Sequence, residues 1–85
     1  MPVEPLQRLR LSLPRTARLQ RLGMAAAANQ ALQEVAQDLL LCTADPLWEA
    51  RLGPHLGELL EAQERGDVLC VADYLEHVLL PELKA

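Results

Sequence analysis

The stretch "GMAAAANQALQEVAQDLLLCTAD" constrains this chain more than any other. Ala25, Ala28, Leu32, Val35, Leu39 and Cys42 recur at alternating steps of three and four, which puts them on one stripe of a helix. Gln30, Gln33, Glu34, Gln37 and Asp38 fall elsewhere on it. A helix over about residues 24–42 is about 28 Å long at 1.5 Å per residue. Its apolar stripe must be covered, and the small residues at its start let another backbone come close. Composition says what covers it. The chain is 51% hydrophobic but has no Phe, one Trp and one Tyr, so leucine and alanine supply the core. Those side chains lose little on helix formation, whereas strands favour β-branched and aromatic residues. With 85 residues there is room for one domain. A chain this small buries about 60–65% of its unfolded surface, and its net stability is on the order of 4–13 kcal/mol. That narrow margin favours self-association.

The next punctuation is Asp45-Pro46. The carboxylate can accept from free backbone amides, and proline in the first helical position forfeits no needed donor. Trp48, Leu52, Leu56, Leu59 and Leu60 then form an apolar face, while Gly53-Pro54 predicts a break between a short helix at 46–52 and a longer one at 54–65. Gly66 suits the left-handed residue that closes a helix. Asp67 caps a last helix over about 68–80, with Val68, Val71, Ala72, Leu75, Val78 and Leu79 inward and Pro81 as its stop.

The charge is unevenly spread. Residues 1–22 hold Arg8, Arg10, Arg15, Arg18 and Arg21 against Glu4, a net +4, and residues 23–85 carry a net −8. The chain therefore divides into a basic N-terminal arm, 1–22, and a helical body, 23–85. Within the arm, Leu9, Leu11 and Leu13 alternate with Arg10 and Ser12 as in an extended segment that Pro14 ends, and Ala17, Leu19 and Leu22 fit a short helix before Gly23. Such an arm can lie on its own acidic body, on that of a second copy, or on an external anion. Glu4 and the scarcity of serine argue against a transit peptide. No apolar run approaches the ~20 residues that cross a bilayer, so a soluble protein is expected.

Asp73, Glu76 and His77 cluster on the face of the last helix opposite its apolar residues. Helix-bundle metal sites need matching ligands from neighbouring helices, and the other histidine, His55, brings no second carboxylate-plus-histidine pattern. A solvated face is the expectation, with a protein-binding face next. Cys42 and Cys70 lie in apolar segments without metal-ligand spacing, which suits reduced thiols in a cytoplasmic protein. No phosphate loop or nucleophile motif occurs. We therefore expect no catalytic, cofactor or metal site.

Residues from about 55 to 83, chiefly "GDVLCVADYLEHVLLPEL", resemble the closing segment of short uncharacterised bacterial helical proteins with the pattern Gly-Asp, Ala-Asp, Leu-Glu, Leu-Pro and a final leucine. The resemblance implies helices without an assigned activity, and would make Asp73 and Glu76 recognition residues. The sequence thus predicts an all-α bundle of three or four helices with a basic N-terminal arm. It predicts a non-enzymatic interaction or dimerisation module that forms a homodimer, with Arg15, Arg18 and Arg21 opposing Asp73, Glu76 and His77 within one chain or across the two copies. The competing reading is a nucleic-acid-associated protein using the arginines on phosphates, which the acidic body and missing stacking aromatics disfavour.

Overall fold

The computed structural model describes residues 3–84, and these form four helices without strands. Helix α1 is Val3–Arg21, α2 is Ala25–Thr43 and α3 is Pro46–Glu64. Helix α4 is continuous over 68–84, with α-helical ends Val68–Asp73 and Leu80–Lys84 around a π-helical segment Tyr74–Leu79. The all-α expectation is met, with four helices.

Three short connections make successive helices antiparallel. At Gly23, Met24 N–H donates to Leu19 carbonyl at 3.2 Å and Gly23 N–H to Gln20 carbonyl at 3.1 Å. At Gly66, Asp67 N–H donates to Ala62 carbonyl at 3.1 Å and Gly66 N–H to Gln63 carbonyl at 3.0 Å. Both are Schellman closures, which need a left-handed residue, and the two glycines have φ of 71° and 69°. At the starts of α3 and α4 the aspartates cap as expected. Asp45 Oδ1 accepts from Leu47 N–H at 2.9 Å, and Asp67 Oδ1 from Cys70 N–H at 3.1 Å.

Helix α1 packs along α2 and α4, and α3 closes the ring against both. The core runs down the middle and draws on every helix: Leu9 and Leu13, Val35 and Leu39, Leu52 and Leu59, Leu75 and Leu79. The body measures 34 × 21 × 20 Å, so its long axis is little more than one 19-residue helix.

Three expectations give way. The segment read as an extended or short-helical arm is, over its described residues, a 19-residue helix that passes through Pro14. Its buried positions Leu6, Leu9, Leu13, Ala17 and Gln20 follow the helical repeat, and Leu11, which created the apparent alternation, points to solvent at 79% exposure. Helix α3 does not break at Gly53-Pro54. Proline removes one donor, to the carbonyl of Ala50, and Ala50 and Pro54 both lie on the exposed side where water can serve that carbonyl. Helix α4 runs past Pro81. A proline ring collides with an α-helical carbonyl four residues back. The wider π turn just before it, in which Leu80 N–H donates five residues back to Leu75 carbonyl, relieves that crowding. Past it, Leu80 and Leu83 join the core, while Val68 in the first turn, expected inward, is 48% exposed.

Candidate interaction surfaces

Three surfaces gather the chain's functional side chains. The first is the seam where α1 crosses α4. Arg21 reaches across with Nη1 on Glu76 Oε1 at 2.9 Å and Nη2 on Asp73 Oδ1 at 3.0 Å. The pairing with Asp73, then that with Glu76, pushes the guanidinium pKa further up. His77 stands beside it, its Nε2 3.6 Å from Glu76 Oε1 and its side chain 67% exposed. Arg15 and Arg18 are exposed on α1 and take no part in this seam. Of the six residues expected to face one another, the fold brings together Arg21, Asp73, Glu76 and His77, all within one chain.

Sequence reasoning missed two further arginine contacts. Arg8 grips Asp38 on α2, with Nη2 at 2.8 Å and Nε at 3.1 Å from Oδ1. This bond raises the Arg8 pKa, and the Asp38 side chain is only 11% exposed. Asp38 sits three residues after Val35 and four before Cys42, on the shoulder of the apolar stripe, and that position was the available signal. Arg10 donates Nη2–H to the carbonyl of Leu83 at 3.1 Å, near the end of α4. Three of the five α1 arginines thus bond to the helices beside it, two of them to carboxylates.

The second surface is a polar cluster between α3 and α4. Tyr74 O–H donates to Glu58 Oε2 at 2.7 Å. Its oxygen is then free to accept from His55 Nδ1, 3.1 Å away, which places the proton of a neutral His55 ring on Nδ1. Glu82 lies 3.9 Å from His55 Nε2 and 3.8 Å from Arg51 Nε, and the Arg51 guanidinium stacks 4.9 Å over the Trp48 ring. Partial burial, then the bond to Glu58, push the Tyr74 phenol up to about 12. Tyrosine ordinarily ionises near pH 10. Stability held by the neutral phenol is therefore fully present below about pH 10 and is lost as the pH rises towards about 12. Tyr74 is the only tyrosine in the chain, so its ionisation can be read directly. Spectrophotometric titration of the folded protein is expected to find it near pH 12, and lower in Glu58→Gln. An unshifted tyrosinate transition would mean that neither the burial of the phenol nor its bond to Glu58 persists in solution. Among the described residues no three His, Cys, Asp or Glu side chains are arranged to hold a metal ion.

The third surface is apolar. A groove of about 180 Å³ opens between α2 and α3, lined by Leu32, Val35 and Leu40 on one wall and Leu56, Leu59 and Leu60 on the other, with Ala36 and Gln63 beside them. Leu40 is 67% and Leu60 57% exposed on its rims. Nothing ionised lines it. Leu32, Val35, Leu56, Leu59 and Leu60 were legible as apolar-face residues and Leu40 was not, and the gap between two helices is a property of their packing with no sequence signature.

Fold and surfaces together define an antiparallel four-helix bundle with ion pairs from α1 to α2 and α4 and an apolar groove that faces outward. No protein-family model, curated protein or solved structure matches this chain.

Proposed function

We propose that this protein is a non-enzymatic interaction module that associates with a second copy and with other proteins through its helical faces. The observation that carries the reading is the α2–α3 groove: leucine walls, no ionised side chain, and two half-exposed leucines on its rims. Apolar grooves between helices take the apolar side chains of another helix, read at steps of three and four. Catalysis would draw on convergent polar groups in a pocket; the polar cluster at His55, Glu58 and Tyr74 lies elsewhere, between α3 and α4, where its members bond to one another.

Three of the five arginines of α1 are engaged inside the chain. That leaves Arg15 and Arg18 as the two not engaged by other described residues, a small footprint for binding driven by phosphate neutralisation. The nucleic-acid alternative is accordingly the weaker reading. Cys42 and Cys70 are both free thiols, which supports a reducing, cytoplasmic setting. No described helix is long and apolar enough to cross a membrane.

The test is affinity capture from lysate after nuclease treatment, with wild type and Leu60→Lys side by side. The reading expects a defined protein to be retained by wild type and lost by the variant. Material that is retained equally by both, or that vanishes with nuclease, counts against it.

A further inference from the structure

The uncharged groove can take a helix from many sources, but its shape and surroundings favour one. We propose that it is the self-association interface of this chain, where two copies pair about a two-fold axis so that Leu40 and Leu60 of each enter the groove of the other. This inference rests on the interaction-module reading and names the occupant of the same site.

Volume is the first argument. A cavity of about 150 Å³ accepts a benzene molecule, so a groove of about 180 Å³ accepts one or two leucine side chains. Its rims carry two exposed leucines of that kind. A two-fold interface uses one patch twice, so knobs and hole must occur on the same surface. Here they do.

Charge is the second. The chain carries a net −4, and a second copy is repelled wherever acidic faces meet. The groove presents no ionised group; the exposed flank of α2 beside it carries Asn29, Gln33 and Gln37, and that of α3 carries Glu49, Glu61 and Glu64. Amide side chains donate to carboxylates, so a two-fold axis along the helices, which sets α2 of one copy against α3 of the other, meets those glutamates with amides and not with one another.

The third is backbone. Gly53 and Gly57 sit in the interior of α3, where glycine is less stable than alanine. Nothing within the chain requires Gly57, whereas Gly53 precedes Pro54, where a Cβ would crowd the proline ring within a helix. A Cβ on Gly57 meets open space, and one on Gly53 makes only an ordinary 3.8 Å contact with Glu49 Cγ. Helical periodicity puts Gly53 on the groove side of α3 with Leu56 and Leu60, where a bare backbone lets a neighbouring helix come close.

Area is the fourth. Two helices about 28 Å long and about 10 Å wide present about 560 Å². Doubling this gives about 1,100 Å² for the pair, at the lower edge of specific interfaces, as suits a reversible dimer.

Sedimentation velocity between about 1 μM and about 500 μM spans the affinities such an interface supports. Wild type is expected to move from monomer towards dimer across this range. Leu60→Lys and Gly53→Arg are each expected to lower the association constant at least about tenfold. The second substitution gains helix propensity and a partner for Glu49 at four residues but adds a Cβ before Pro54, so circular dichroism should show a monomer that is still helical and folded as the dimer is lost. If Leu60→Lys fails to fold, Gly53→Arg decides alone. A wild type that stays monomeric throughout, or a dimer that survives Gly53→Arg, overturns the proposal. A monomeric wild type that still retains a captured protein, lost in Leu60→Lys, would refute the second copy yet keep the groove as a binding site. A monomer whose captured proteins ignore that substitution would refute both.

Discussion

Removal of residues 1–22 is expected to abolish cooperative folding of what remains. Helix α1 places Leu6, Leu9, Leu13 and Ala17 in the core, Leu9, Leu13 and Ala17 at zero exposure. Truncating one buried leucine to alanine costs about 2–5 kcal/mol, and a chain of this length has on the order of 4–13 kcal/mol in all. Losing three such leucines at once, about 6–15 kcal/mol, is as large as the total itself. It also strips the cover from Val35 and Leu39 on α2 and from Leu75 and Leu79 on α4, and leaves Asp38 without its arginine. Circular dichroism of residues 23–85 should show reduced helicity and a shallow melt without a transition midpoint. A sharp melt from that fragment would restore α1 to the status of an accessory arm.

The second large effect is expected at Leu75. This side chain is fully buried in the π-helical segment of α4, which packs on α1 and α3. Leu75→Ala should lower stability by about 3 kcal/mol, since the surrounding helices cannot collapse fully onto the cavity. Leu69→Ala, at a position 61% exposed in the first turn of the same helix, should stay within about 0.5 kcal/mol. Urea unfolding of both variants separates the two cases by midpoint, with the slope unchanged if the denatured state is unaffected. Equal losses at the two sites would mean that α4 lies differently on the bundle.

How much of this was legible can be argued from particular helices. On α2 the stripe from Ala28 to Cys42 is buried as its periodicity required, and only Ala25, at the start of the helix, is exposed. The signals at Asp45-Pro46 and Gly66-Asp67 were local, because a cap or a left-handed turn involves residues within one turn of one another, and both were read correctly. Helix α1 was not legible as a whole. Its buried stripe includes Thr16 and Gln20, whose polarity hides the pattern, and Thr16 Oγ is buried without a hydrogen-bond partner. An exposed Leu11 and an internal Pro14 pointed the other way. Tertiary packing overrode a propensity that favours breaking, as it did at Pro54 and Pro81.

At the candidate surfaces, residue types were readable and partners were not. Opposition of α1 arginines to Asp73, Glu76 and His77 was expected within one chain or across two copies, and the fold brings Arg21 to Asp73 and Glu76 across separations of 52 and 55 residues. Arg15 and Arg18 carry the same charge on the same helix but project to solvent. Helical phase decided which arginine met a carboxylate, and phase became known only once α1 was known to be one unbroken helix.

The placement of α1 between α2 and α4 bears on the order in which the molecule can assemble. Its contact with α2 is available as soon as that hairpin exists. Its contact with α4 joins residues up to 73 apart, as between Arg10 and Leu83. During synthesis the first helix made therefore keeps one apolar flank bare until the last helix arrives. Loop-closure entropy must be met before those distant contacts can repay it. Closure of the ring by α4 is then the step that sets the folding rate, and substitutions along the α1–α4 seam should slow folding more than those along the α1–α2 hairpin.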